Sequence, residues 1–200
     1  MEYLQTGTYY HIFNHANADE DLFRNTENYR YFLQQYHKHI DIIADTYSFC
    51  LMPNHFHLLV RIKSAEQLNS HLSGFKNLEG VDASNLLSRQ FSNFFNSYTK
   101  SFNKMYERHG SLFLKNFKRK RIIDVNYLIE CILYIHLNPV KHGFRQHPAD
   151  WESSSFHDFH IKRPGVLNSL FGNEENYFES HDKKIESYEN YEVLERYFLD

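Results

Sequence analysis

The sequence predicts an α+β fold built on an antiparallel sheet. Three segments are rich in β-branched and aromatic residues, as strands are: residues 8–15, 46–52 and 55–62. Three longer segments carry apolar residues at helical spacing: residues 26–40, 84–108 and 125–137. The order is β-α-β-β, then a helix-rich stretch, an extended basic segment and a last helix. This order is compatible with a ferredoxin-like core.

Local signals place the ends of several elements. Pro53 and Asn54 form a turn signal between the second and third strands, so these two strands are expected to form a hairpin. Asp124 is a good N-cap for the last helix. We expect that helix to stop at Asn138, because Pro139 disfavours its continuation.

One domain is expected over residues 1–160, followed by an acidic tail over residues 161–200. Within the domain, residues at about 64–97 are predicted to be a helical insertion that contains a short helix from Ser64 to about Leu78. The tail is expected to be helical or partly ordered. From Phe171 to Asp200, nine acidic residues stand against three basic ones.

The composition is that of a cytoplasmic protein with no membrane partner. The chain has no apolar run long enough to span a bilayer, and its first residues lack the basic and apolar stretches of a signal peptide. Cys50 and Cys131 do not form a Cys-x-x-Cys pair, so we expect two free, partly buried thiols.

The net charge of −3 hides a strongly basic segment. Between Lys100 and Arg121, eight basic residues stand against Glu107 alone, which is typical of a localised anion-binding surface. The alternative is an ordinary solvated face. The 15 Tyr and 18 Phe are expected mostly in the core, although aromatic rings also permit stacking on exposed nucleic-acid bases.

His55 and His57 form the most informative pair of side chains. They are two residues apart on a predicted strand, so both project from the same face of the sheet, while Phe56 projects from the other. Imidazole is the commonest protein ligand for a divalent metal, and two on a rigid strand make half of a site. With 14 His in the chain, the spacing alone could also arise by chance.

Tyr134 and Asn138 can complete such a site from the last helix. They are four residues apart and therefore share one helical face. The Asn oxygen can join two imidazoles in an open metal shell that suits Mg²⁺ or Mn²⁺, without excluding Zn²⁺. A tyrosine hydroxyl beside the metal can attack a phosphodiester. Periodicity does not distinguish Tyr134 from Tyr127, which lies on much the same face.

Four motifs in order resemble those of the single-tyrosine HUH transposases, most closely the REP-associated tyrosine transposase branch. The motifs lie between Tyr9 and Phe159 and are the runs at residues 51–60, 110–120, 134–143 and 151–156. The resemblance implies a ferredoxin-like fold and a metal-dependent enzyme that cleaves and rejoins single-stranded DNA next to hairpins. Its partner would be single-stranded DNA with a hairpin, and it would act as a monomer or homodimer.

The resemblance also implies roles for individual residues. His55, His57 and Asn138 would hold the metal, and Tyr134 would be the nucleophile that forms a 5′-phosphotyrosine link. DNA phosphates would be held by basic residues of the segment before the last helix: Lys115, Lys118, Arg119, Lys120 and Arg121.

One motif departs from the family's pattern. Members often carry Asn-Arg-Gly after the first strand, where this chain has Asn14, His15 and Ala16. This departure puts the local turn in doubt, and it motivates the alternative of a hairpin-binding protein that no longer cleaves. A metal-dependent hydrolase is a third alternative, disfavoured because no Asp or Glu joins the two His within the motif.

Overall fold

A four-stranded antiparallel sheet lies at the centre of the protein. The computed structural model describes residues 2–71 and 80–186. The strands lie in the spatial order β2-β3-β1-β4. They are β1 (Tyr9–His15), β2 (Ala44–Met52), β3 (His55–Ile62) and β4 (Lys118–Ile122).

Seven α-helices accompany the sheet within the described residues. They are α1 (Thr26–Ile40), α2 (Ala65–His71), α3 (Gly80–Met105), α4 (Val125–Lys141), α5 (Phe156–Lys162), α6 (Pro164–Phe171) and α7 (Glu174–Glu186). Helix α1 connects β1 to β2 and α3 connects β3 to β4, and each connected pair of strands has one other strand between its members. This interleaving of two β-α-β units is the ferredoxin-like arrangement, so the α+β prediction is confirmed.

The sheet is covered on both faces, and the alternation of side chains along β3 shows how. Phe56, Leu58 and Val60 enter the core cluster that they share with α1 and α3. The intervening Leu59 belongs to the second cluster, which α4 dominates. Because successive side chains point to opposite faces, His55 and His57 lie on the α4 face with Leu59. The two histidines therefore lie between the sheet and the last core helix.

Helix α4 is longer than the sequence predicts. It starts after Asp124, whose side chain accepts a hydrogen bond from the Tyr127 N–H, and it continues through Pro139 to Lys141. A proline in the last turn removes only one helical N–H, and the buried contacts of Pro139 and Val140 outweigh that loss. The predicted stop at Asn138 is therefore wrong, and Asn138 is held inside regular helix.

The predicted insertion divides between two helices. Helix α2 covers residues 65–71, and residues 72–79, which include the predicted end of the short helix, lie outside the described residues. From Gly80 the chain is α3, whose Leu87 and Phe91 are fully buried against the same cluster as β3. Residues 82–97 therefore contribute to the core layer beneath the sheet.

The described part of the acidic segment packs on α4. Tyr177 and His181 of α7 are fully buried there, and Lys184 forms a 2.8 Å salt bridge with Glu130 of α4. Residues 187–200 lie outside the described residues. Cys50 and Cys131 are both free, as expected, and they are fully rather than partly buried. None of the described helices combines the length and apolarity needed to cross a bilayer.

A buried histidine pair joins α7 to the back of α4. His136 Nδ1 lies 3.2 Å from His181 Nε2, and His136 Nε2 lies 2.9 Å from Ser155 Oγ. Tyr177 Oη is 3.1 Å from His136 Nδ1. Burial lowers the pKa of His181 to about 4, and burial with the neighbouring His181 lowers the pKa of His136 well below its usual value.

We expect this pair to make the protein acid-sensitive. Both imidazoles are neutral when folded but titrate near pH 6.5 when unfolded, so protonation favours the unfolded chain. The free energy of unfolding is therefore highest above about pH 6.5. It decreases as the pH falls toward 4, by an amount on the order of a few kcal/mol. Urea unfolding at a series of pH values measures this loss. His181→Gln should reduce the slope, and parallel curves for the two proteins would contradict the assignment.

Candidate metal and tyrosine site

The two histidines of β3 project from the same face of the strand, just after the turn that precedes it. Their rings lie 5.2 Å apart and nearly perpendicular. The turn is anchored through its carbonyl groups, since Asn54 O accepts from the Ala16 N–H at 2.7 Å and Pro53 O accepts from the Leu22 N–H at 2.7 Å. A rigid strand that begins at an anchored turn fixes both side chains relative to the sheet.

Helix α4 brings the other two predicted residues to the same place. Asn138 Oδ1 lies 2.8 Å from His55 Nε2. The ring of Tyr134 meets the ring of His57 edge-on at 5.3 Å. Residues separated by about 80 positions in the chain therefore converge between β3 and one face of α4. Among the residues 2–71 and 80–186, no group of three or more His, Cys, Asp or Glu is placed to hold a metal.

The surroundings of His55 test whether a divalent ion fits. Its Nδ1 is 2.8 Å from Asn54 Oδ1, and its Nε2 is 2.8 Å from Asn138 Oδ1. A neutral imidazole has one N–H and can donate to only one of these oxygens, so two lone pairs meet at the other contact. Burial lowers the pKa of His55 to about 3, so a second proton does not relieve this contact at neutral pH.

A cation shared by His55 Nε2 and Asn138 Oδ1 would satisfy both lone pairs. Two adjacent ligands at about 2.1 Å from one ion lie roughly 3 Å apart, close to the observed contact. The Asn138 amide could also turn to donate from Nδ2, an atom that is buried without a hydrogen-bond partner. Metal binding would select the amide orientation in which Asn138 Oδ1 faces His55. The donor set of His55 and Asn138 therefore fits a divalent ion.

Burial also keeps His57 in its neutral form, which is the form that can bind a metal. The pKa of His57 is lowered well below its usual value, first by burial and then by the neighbouring His11 and His55. A neutral imidazole offers a lone pair, whereas a protonated one repels a cation. Both strand histidines are therefore neutral throughout the physiological pH range.

Position along α4 distinguishes the two candidate tyrosines. Tyr134 contacts the rings of His57 and His11, the latter at 5.9 Å. Tyr127 lies in the first turn of the helix, two turns or about 10 Å away along its axis. The structure therefore favours Tyr134 as the tyrosine of this site. Its side chain is buried, at 2% exposure, so the site has to open before a large substrate can reach it.

Four further residues lie at the site, and two of them, His11 and Lys141, were not singled out from the sequence. His11 Nε2 lies 2.9 Å from His57 Nδ1. His55 is flanked by His15, stacked at 4.7 Å, and by His142, edge-on at 5.0 Å. The ammonium of Lys141 lies 5.5 Å from the centre of the Tyr134 ring. The alternation of β1 places His11 and His15 on one face, but only the pairing of β1 with β3 shows that this face meets the site.

Two known proteins are similar to this chain, one in sequence and one in structure. No family model matches the chain. A Haemophilus influenzae protein named as a REP-associated tyrosine transposase is 28% identical over 115 residues, which cover 56% of this chain and 59% of that protein. A solved structure of a REP-associated tyrosine transposase bound to a REP hairpin matches with a TM-score of 0.61 at 19% identity, covering 82% of this chain and 84% of that one.

The chain resembles the REP-associated tyrosine transposases. The resemblance that the four motifs indicate is thus confirmed in sequence, and the structural match confirms the fold. The aligned part is 59% of the length of the Haemophilus relative.

The departure from the pattern of the REP-associated tyrosine transposases does not break the turn after β1. Ala16 forms a bridge with Phe113, and the residue with positive φ is Ala18, at 55°. A glycine is therefore not needed at position 16. Where many REP-associated tyrosine transposases carry Arg, this chain places His15 directly against His55.

The basic residues expected to bind DNA divide between the two faces of the sheet. Lys118 and Lys120 lie opposite Phe13 and His11 of β1, and so share the α4 face with the site. Arg119 is on the other face, where its Nη1 donates to Ser88 Oγ of α3 at 2.7 Å. Arg121 alternates with Lys120 and lies on the same face as Arg119, while Lys115 is exposed in the loop before β4. Geometry thus favours the lysines for contacts near Tyr134.

Proposed function

We propose that this protein cleaves and rejoins single-stranded DNA next to hairpins, with Tyr134 as nucleophile and Mg²⁺ or Mn²⁺ held by His55, His57 and Asn138. The observation that carries the proposal is the convergence of Asn138 and Tyr134 of α4 on the two strand histidines. The hairpin is taken from the structural neighbour, which is a complex with a REP hairpin.

In the proposed reaction, the Tyr134 oxygen attacks a DNA phosphorus and forms a new O–P bond. The bond from phosphorus to the 3′-oxygen of the preceding nucleotide breaks, and that oxygen takes a proton to become a 3′-hydroxyl. The phenolic proton balances this transfer, and attack by a 3′-hydroxyl on the phosphotyrosine reverses both steps. When bound, the divalent ion would withdraw charge from the phosphate oxygens in the transition state.

Residues around the tyrosine would position the substrate. Lys141 has its ammonium beside the Tyr134 ring, where it can attract a phosphate approaching the hydroxyl. Lys118 and Lys120 on the same face can hold the neighbouring backbone, a contribution that weakens as salt rises. Because Tyr134 is buried, DNA binding has to be coupled to opening of the site.

A covalent-capture assay with the wild-type chain tests the proposal. A pool of single-stranded oligonucleotides with a stable hairpin and varied flanks, labelled at the 3′ end, should give a protein–DNA adduct that survives denaturing electrophoresis. The adduct should require Mn²⁺ or Mg²⁺ and disappear with EDTA. Strands with the stem made unpaired are the matched control. Free ends without an adduct would indicate a hydrolase and overturn the proposal.

A second candidate function is hairpin binding without cleavage. The burial of Tyr134 and the replacement of the usual Arg by His15 favour it. In that case the same oligonucleotides would bind in a gel-shift assay, yet no adduct would form with any divalent metal. One metal-dependent adduct eliminates this candidate.

A further inference from the structure

His11 has an unusual position for a histidine. It lies in the middle of the central strand β1, is completely buried, and faces Lys120 across the ladder with β4. Its ring stacks on Phe13 at 4.8 Å and lies edge to edge and nearly parallel with the ring of His57, with the ring centres 5.0 Å apart. An apolar side chain would fill this place without the cost of burying a polar ring. Its contact with a neighbouring histidine suggests what the imidazole adds.

The two rings meet nitrogen to nitrogen. His11 Nε2 lies 2.9 Å from His57 Nδ1, so one of these atoms donates a proton and the other accepts it. If His57 donates from Nδ1, its Nε2 carries a lone pair and can bind a metal. If His11 donates instead, His57 Nε2 carries the proton and cannot bind one. The His11 contact therefore decides which nitrogen of His57 is available.

We propose that His11 is a positioning residue, which accepts the Nδ1 proton of His57 and so holds the His57 ring and its Nε2 lone pair toward the site. This inference rests on the proposed function, in which His57 is a metal ligand. Metal-binding histidines commonly donate their other N–H to a fixed acceptor, which sets both tautomer and orientation. In this chain the acceptor is another histidine on the neighbouring strand.

His11 would thereby act on the metal without touching it. The Nε2 atom of His11 faces His57 Nδ1. The contact between His55 Nε2 and Asn138 Oδ1 lies on the side of His57 away from His11. The Tyr134 ring also lies edge-on to His11, at 5.9 Å. His11 thus contacts both the His57 ligand and the ring of Tyr134, the proposed nucleophile.

The tautomer of His57 tests the inference in the metal-free protein. Long-range proton–nitrogen NMR spectra of the imidazoles should show His57 protonated at Nδ1 in the wild-type chain. In His11→Phe, which keeps the stacked ring but removes the acceptor, the Nε2-protonated form should increase. A wild-type His57 protonated at Nε2 would overturn the inference, whether or not the protein cleaves DNA.

Metal affinity gives the second measurement. His11→Phe should bind Mn²⁺ about 10- to 100-fold more weakly than the wild type. His11→Gln should largely restore the affinity, because its side-chain oxygen can accept the same proton. Exposed His37→Phe is the matched control, and melting temperatures report folding. Unchanged Mn²⁺ affinity in His11→Phe would overturn the inference, whereas a wild type that binds no Mn²⁺ would refute the proposed metal and leave the tautomer measurement to decide the role of His11.

Discussion

Replacement of Tyr134 by Phe is expected to abolish the covalent protein–DNA adduct. The substitution removes one hydroxyl and keeps the ring that packs against His57 and His11, so the fold and hairpin binding should remain. Loss of a covalent nucleophile should reduce adduct formation at least ~1,000-fold. Quantitative electrophoresis with the 3′-labelled oligonucleotide pool measures the effect.

Tyr127→Phe is the matched control for this result. Tyr127 is on the same helix, two turns before Tyr134, and should be dispensable for adduct formation. A gel-shift measurement should show that both variants bind the hairpin as the wild type does. Full adduct formation by Tyr134→Phe, or loss of the adduct only in Tyr127→Phe, would show that the nucleophile is misassigned.

Replacement of His57 by Ala is expected to remove most divalent-metal binding. The change deletes one of two imidazole donors and leaves His55 and Asn138 as an incomplete set. Loss of a residue that only hydrogen-bonds to a metal ligand already lowers metal affinity about 10- to 100-fold. Loss of a ligand itself should therefore lower the affinity more than about 100-fold. Mn²⁺ titration by calorimetry and by electron paramagnetic resonance measures the affinity directly.

Thermal unfolding provides an independent readout of the same change. An ion that binds only the folded chain stabilises it by about 2.7 kcal/mol at 100 times its dissociation constant. Mn²⁺ should therefore raise the melting temperature of the wild type and of His37→Ala, but not that of His57→Ala. An equal rise in all three proteins would place the bound ion elsewhere.

The sequence predicts the local elements of this protein well where packing and propensity agree. Strand β3 begins at His55 and ends at Ile62 as predicted, because the Pro53–Asn54 turn precedes it and the polar residues Lys63 and Ser64 follow it. Other limits differ from the prediction: α3 spans Gly80–Met105 where residues 84–108 were predicted, and α4 runs past Asn138. At the end of α4, burial of Pro139 and Val140 outweighs the local preference to stop. A local rule cannot include that burial, because the partners come from other parts of the chain.

In the candidate site too, some features follow from the local sequence and others depend on tertiary packing. His55 and His57 share a face because strand geometry has a period of two, and Tyr134 and Asn138 share one because a helix repeats every 3.6 residues. Each pair follows from the sequence alone. The roles of His11 and His15 do not, because they depend on the register that sets His15 opposite His55 and His11 diagonal to His57.

The sequence by itself determined the α+β class, the two pairs of side chains and the resemblance to the REP-associated tyrosine transposases, because these depend on local periodicity and on motif order. Only the tertiary structure decided that the pairs meet, since Asn138 and His55 come within 2.8 Å through packing of α4 on the sheet. It also decided that Lys118 and Lys120, and not Arg119 and Arg121, lie on the face of the sheet that carries the site. Contacts between distant segments depend on strand register and helix packing, and these are properties of the whole fold.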